Sequence, residues 1–400
     1  MSDVSGEAAS PRSGSVRRCI EERRATDYRT RPWAGPQAHE AGKAPPSEGS
    51  GTARGSGWTY ARSGVDRSEV ARALAALVGA ARYRASAAHG TPIGPAGHYA
   101  GLIRIGRETI AITTDTVGTK VLLAEALGRW EEVGEDIVGV NVNDLAALGA
   151  RSAGLVDVIL CRRPDPAIFA AIGRGLARGL RAADCSLLGG ETAVVPSIVR
   201  GTDLGGTAIG FFPGRRVPIT GARIRPGDVL IGLRSNGFHA NGLTLVRRLL
   251  ARARIDLGRP RPGGRGPVGR EILRPTRIYS AAVEAVADEP GVHGLAHLSG
   301  GGVRNLVRLN REVRFSLTGW PEVPGLFSWV QELGRIAQEE MYQTFNMGVG
   351  FLVAVAPGQS RDVLAALAGA GAPDAAPIGV VARGRGVELP ALGLRYKGYG

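Results

Sequence analysis

Three carboxylates follow strand-like runs in this 400-residue chain: TIAITT leads into Asp115, IVGVNVN into Asp144, and SLLGG into Glu191 and Thr192. Sheet enzymes gather ligands where strands give way to loops, so acids at three strand ends can converge on one site. Their oxygens suit Mg²⁺, a hard cation that takes a few carboxylates and completes its shell with water and phosphate. After Asp115 comes Thr116-Val117-Gly118-Thr119-Lys120. Here Gly118 allows close approach of backbone N–H groups to an anion, Thr119 offers a hydroxyl, and Lys120 supplies a point charge. The other lysines are Lys43 and Lys397, so a lysine inside this glycine turn stands out in an arginine-rich chain. No G-x-x-x-x-G-K-[ST] spacing occurs, which disfavours a Walker-type ATPase. Taken singly, Asp144 reads equally as a helix N-cap, Asp115 as a turn former and Gly189-Gly190 as a tight turn; only together do they suggest phosphate or Mg²⁺.

Two further clusters carry polar chemistry. In RSNGFHANG (234–242), Ser235, Asn236 and Asn241 surround His239, which reads first as surface decoration of a flexible loop and second as a titratable group. In His297-Leu298-Ser299-Gly300-Gly301-Gly302, the glycines precede a helical stretch and form either an anion cradle or a flexible turn.

Elements must hold these residues. Order is expected from about Tyr60: Asp66 with Glu69 has the form of a helix N-cap, and Val70, Leu74, Leu77 and Val78 recur at helical spacing. LIRIG and TIAITT flank a tight turn at Gly106-Arg107-Glu108 and predict a hairpin. Then come a helix over 121–129, a strand over 137–142, a helix over 144–148, strand VDVILC, an amphipathic helix over 165–183, and strands SLLGG and TAIGFF. The stretch PGRRVPITGARIRPGD reads as a linker to a second unit. That unit opens on strand DVLIGL, and helices near 274–287 and 324–333 alternate with strands VRFSL, GVGFLVAV and IGVVA. The fold class is α/β, of mixed α+β character, in two domains at 58–215 and 216–394. A disordered Arg-, Gly- and Ser-rich extension over 1–57 is expected before them, too poor in large apolar residues to order itself, and a tail over 395–400 after them.

Composition narrows the class. No apolar run approaches the roughly 20 residues that cross a bilayer, and the first residues lack a signal-peptide core, so a cytoplasmic protein with no membrane partner is expected. Cys19, Cys161 and Cys185 form no CxxC pair, which argues against a disulfide framework or zinc site and fits a reducing compartment. The net charge of +14 invites a nucleic-acid reading, but the charge is spread, and with 5% aromatics there is no patch for stacking bases. Small phosphorylated substrates are the more natural use of the excess.

The motifs GVD (64–66), TDTVGTK (114–120), VNDL (142–145), GGETA (189–193), NGFHANGLTLVR (236–247), PTRIY (275–279), HLSGGG (297–302) and EEMYQTFNMGVG (339–350) stand in one order. In this the chain resembles the aminoimidazole ribonucleotide synthetases, from about Gly64 to Val387, with GHYAGLIRIG and GGETAVVP closer to archaeal-type members. The resemblance implies ATP-dependent ring closure of formylglycinamidine ribonucleotide to aminoimidazole ribonucleotide in purine biosynthesis, with release of ADP and phosphate. It implies Asp115 and Asp144 as Mg²⁺–ATP acids with Glu191 as a third. Gly118, Thr119, Lys120, Asn143, Gly189, Gly190 and Thr192 would lie along the nucleotide, and Lys120, His239 and Asn241 would act in catalysis. Ser235, His239, Gly300, Gly301 and Gly302 would lie on the substrate side. It also implies a homodimer whose N-terminal strands build an interface β-barrel, beside a C-terminal α/β sandwich. Thr116 replaces a usual glycine, and Asn236 and Ala240 replace smaller or hydroxylated residues.

Relatives fit less well. A selenophosphate synthetase needs a reactive Cys near its glycine loop, and a hydrogenase-maturation relative a C-terminal Cys, where these residues end LGLRYKGYG. A thiamine-phosphate kinase lacks HLSGGG followed by MYQTFNMGVG, and formylglycinamidine ribonucleotide synthetases are usually longer. A noncatalytic basic phosphate- or RNA-binding protein is the alternative from another class.

Overall fold

A computed structural model describes residues 57–81, 83–95 and 97–398; the extension expected over 1–57 lies, apart from Gly57, outside them. Two sheets organise the chain. The first has the strand order β1-β2-β3-β6-β4-β5, from β1 (Thr91–Ile93), β2 (Gly101–Ile105), β3 (Glu108–Thr116), β4 (Arg151–Cys161), β5 (Ser186–Val194) and β6 (Thr202–Phe211). It is antiparallel except for β4 and β5, which run parallel. Parallel neighbours need a crossover, supplied by the amphipathic helix α4 below. The predicted hairpin is β2–β3.

Helix α1 (Arg67–Ala80) starts where Asp66 caps the amides of Ser68 and Glu69. Its apolar members Val70, Leu74, Leu77 and Val78 are all exposed in this chain. Helix α2 (Val121–Leu127) is followed by α3 (Glu131–Ala146), and α4 (Pro166–Ala183) is capped by Asp165. Helices α3 and α4 cross closely because their contact is glycine: a Cβ on Gly134 would stand 2.2 Å from Ile172 O, and one on Gly175 1.9 Å from Glu131 O.

Helix α3 corrects an expectation, since 137–142 is helical and Asp144 lies in its last turn instead of capping a new helix. Thirteen of its sixteen residues are buried, so its sequence shows neither an amphipathic stripe nor polar punctuation. A helix apolar on every side, rich in Val and Ile, has the same pattern as a buried strand.

The second sheet has the order β13-β12-β9-β11-β7-β10-β8, from β7 (Val229–Arg234), β8 (Val292–His297), β9 (Val313–Ser316), β10 (Val349–Val355), β11 (Ala376–Arg383), β12 (Gly386–Leu389) and β13 (Leu394–Tyr396). Strands β8 and β10 are buried along their whole length. Helix α5 (Leu243–Arg252) follows the His239 loop. Residues 394–396, at the expected tail, pair with β12.

The two sheets differ in cover. The face of the first sheet turned to α3 is packed, whereas its other face leaves Ile112, Val156, Val158 and Leu188 exposed. The sheet is open in the single chain, so the expected barrel is not closed by these strands alone.

Candidate active site

Asp115 is the penultimate residue of β3, opposite Gly206, which stands opposite Asp157. A Cβ on Gly206 would meet Ile137 and Asn141 of α3, so this row faces the helix, and Asp115 is turned toward Asp144. Asp144 in turn lies 2.9 Å, Oδ1 to Nδ1, from His297 at the end of β8. Three elements thus deliver two acids and an imidazole to the junction of the sheets.

The electrostatics are those of a site short of positive charge. Asp115 is exposed in the single chain, but desolvation by the groups packed around its carboxyl, and then the neighbouring charge of Asp144, push it up to about 6, against one bond from Thr116 N–H. A carboxylate whose proton affinity is raised by a second carboxylate beside it marks an incipient cation site. Among the described residues no three His, Cys, Asp or Glu side chains converge as a complete metal cage. The pair suits a cation that fills its shell from water and phosphate.

His239 differs from its expected place in a flexible loop. It is fully buried, adopts φ +60°, and neither ring nitrogen has a partner among the described residues. Burial first, then the charges of His297, Lys120 and Arg277, hold its pKa far below the usual value, so the ring is neutral. Its centroid is 6.3 Å from that of His297, whose Nε2 is also unpartnered. Asn241 faces the glycine triplet, with its Oδ1 3.0 Å from where a Gly300 Cβ would stand. Asn305 Nδ2 collects the carbonyls of Ser299, Gly300 and Gly302, and Gly301 takes φ +106°. The 234–242 and 297–302 motifs therefore meet.

Several expected residues are placed otherwise. Lys120 Nζ is wholly buried, 2.6 Å from Asp136 Oδ2, and donates to Arg274 O; Thr276 N and Oγ1 both donate to Asp136 Oδ1. Asn143 donates to Arg277 O and accepts from Tyr279 N. Both side chains hold the 274–279 segment against α3, so their polar atoms are already engaged and not turned to a nucleotide. The Ser235 hydroxyl is engaged by Asn346 Oδ1. Gly118 and Thr119 stay at the surface of their turn, with Thr119 Oγ1 2.9 Å from Thr244 Oγ1.

Glu191 needs the largest correction. It lies within β5, not at its end, in the row Thr116–Gly205–Val158–Glu191. Neighbours in a row share a face, and Val158 on this face is exposed. Glu191 therefore points away from Asp115, and three strand spacings of about 4.8 Å separate their strands. Gly189, Gly190 and Thr192 lie in the same edge strand, far from the Asp115–Asp144 pair.

His98 is the group that sequence reading passed over. It is buried before β2, Arg308 donates to its carbonyl, and burial and the Arg308 charge depress its pKa to about 4. It lies within electrostatic reach of Asp144. The lone histidine in GHYAG was its only signal.

Residues 97–212 match the family model described as AIR synthase related protein, N-terminal domain, and 225–391 the corresponding C-terminal domain. The chain is 43% identical over 336 residues to a phosphoribosylformylglycinamidine cyclo-ligase of Methanothermobacter thermautotrophicus, covering 83% of this chain and 97% of that one. It is 44% identical over 312 residues to one of Thermococcus gammatolerans, covering 77% and 91%. The fold is similar to thiamine monophosphate kinase from Aquifex aeolicus (TM-score 0.57, 16% identity, 83% and 99% covered). It is also similar to hydrogenase maturation protein HypE in complex with ATP (TM-score 0.54, 20% identity, 80% and 88% covered).

Proposed function

Because this chain belongs to the AIR synthase family, we infer that its paired acids serve the ring closure that defines the family's cyclo-ligases. The activity is ATP-dependent conversion of formylglycinamidine ribonucleotide to aminoimidazole ribonucleotide, a step of purine biosynthesis. The observation that carries the site assignment is the meeting of Asp115 and Asp144, 29 positions apart and on different elements, with an uncompensated negative charge between them.

The γ-phosphoryl group of ATP passes to the formyl amide oxygen, making it a leaving group. An amidine nitrogen then attacks that carbon, the ring closes, and phosphate departs with the C–O electron pair while the nitrogen loses a proton. Phosphoryl transfer asks for positioning and charge stabilisation more than for a protein nucleophile. Asp115 and Asp144 would hold Mg²⁺, which supplies neutralisation of phosphate charge when bound. His297 fixes the Asp144 carboxylate through Nδ1. His239, neutral and with both nitrogens free, orients the substrate or takes up the amidine proton. Asn241 and the Gly300–Gly302 turn lie on the ribonucleotide side.

The protein works in the cytoplasm as a homodimer. What supports the dimer is the bare apolar face of the first sheet and the exposed apolar stripe of α1, too extensive for a free surface. A second copy laid on that face would complete a barrel, and Glu191 would belong to that interface. Purified protein given ATP, Mg²⁺ and formylglycinamidine ribonucleotide should form the aminoimidazole product with one ADP per turnover; ATP-dependent product formation failing under all Mg²⁺ concentrations overturns the assignment. Sedimentation should show a dimer that Leu188→Glu dissociates.

A further inference from the structure

Helix α5 presents Leu243, Leu245, Val246, Leu249 and Leu250 to the core, and Arg247 is the one charged residue in this buried set. The residue as a whole is 9% exposed, its Nε has no partner, and no carboxylate of the described residues pairs with it. The charge of the like-signed Arg248 adds to burial in lowering its pKa. A charged guanidinium with its Nε buried and unpartnered is costly for a fold that gains nothing from it. Arginine's planar fork of donors is matched to the oxygens of phosphate.

Arg247 lines a cavity of about 640 Å³ between α2 and the loop before β6, together with Gly118, Thr119, Glu125 and Arg200. A groove carrying Arg162 and Arg163 adjoins it through Glu125, Arg200, Gly201 and Thr202. One turn before Arg247, Thr244 is bonded to Thr119. That bond ties the start of α5 to the turn that begins three residues after Asp115. Glu125 lines the cavity without pairing with Arg247, and Asp203 Oδ1 is taken by Leu204 N–H.

We propose that Arg247 is the receptor for a phosphate oxyanion in this cavity, the oxyanion belonging to one of the two phosphorylated ligands of the reaction, nucleotide or ribonucleotide. The source of the phosphate rests on the ring-closure activity above; the anion site itself does not. Inorganic phosphate is the first probe. Added to wild-type protein without metal it should raise the unfolding temperature, and Arg247→Met should abolish that rise while unfolding no earlier than wild type in its absence. In steady state Arg247→Met should raise one KM by about tenfold or more with kcat little changed, as expected for losing a charge-assisted pair. A raised KM for ATP assigns the nucleotide, and a raised KM for formylglycinamidine ribonucleotide assigns its 5′-phosphate. Should Arg247→Met not fold, Arg247→Lys keeps the charge without the fork, and hydrogen exchange on wild type should show phosphate slowing amides over 199–203 and 243–252. An undiminished phosphate response in the variants with both KM values unchanged, or no protection of those segments, overturns the proposal. Asp144→Asn, impaired in turnover, should keep the phosphate response; wild-type protein that fails to close the ring yet keeps that response sinks the activity and spares the anion site.

Discussion

At Asp136 the chain supplies every partner itself, whereas at Asp144, eight residues along the same helix, it stops short. Asp136 receives Lys120 Nζ and two donors from Thr276 in a fully buried setting. Asp144 has His297 on one oxygen and the like-charged Asp115 nearby, among imidazole nitrogens without partners. A satisfied buried network rigidifies a core, and an unsatisfied one marks where a ligand completes the structure. The first holds 274–279 in place; the second is what that rigidity positions.

The contrast predicts opposite losses. Lys120→Met leaves Asp136 buried and unpaired and should cost about 3–5 kcal/mol in urea unfolding, most of it recovered in Lys120→Met/Asp136→Leu; an unchanged midpoint in the single variant would erase the distinction. The double variant also sharpens it, because near-normal turnover there makes Lys120 structural. Asp144→Asn should leave the unfolding midpoint in place while ring closure falls by about 10²–10³, the scale of a lost transition-state charge contact. Thr276→Val removes one of two bonds into Asp136 and should cost about 1.5–3 kcal/mol, with kcat preserved.

The smallest effect is a pH difference. The folded pKa of Asp115 lies above its ordinary 3.8, near 6, so ionising this group works against the metal-free fold. The contribution of Asp115 to stability should fall as pH rises from about 4 to about 6 and stay lower above that. Asp115→Asn lacks this fall, so it should be the more stable protein at pH 7.5 without metal and converge with wild type near pH 4. Added Mg²⁺ should stabilise wild type alone; a variant less stable than wild type at pH 7.5 would contradict the site's charge excess.

Local chemistry was legible without a fold. Asp66 caps the helix expected after it, the β2–β3 hairpin turns at Gly106-Arg107, and the amphipathic α4 fills the span expected over 165–183 with Asp165 as its cap. Each depends on contacts within a few residues, where spacing and side-chain type are sufficient. Asp115, Asp144, His239 and HLSGGG were likewise marked by residue type and order. Packing decided the rest: α3 is a helix because sheet and segments enclose it on all sides, and Glu191 faces away from Asp115 because β5 alternates sides in register with β4. Lys120 and Asn143 donate to carbonyls more than 130 positions away, and Arg247 Nε is unpartnered because no carboxylate of the described residues comes to meet it. Periodicity records which neighbours along the chain share a face, but whether a buried charge finds its counter-ion depends on distant segments, which only tertiary contacts bring together.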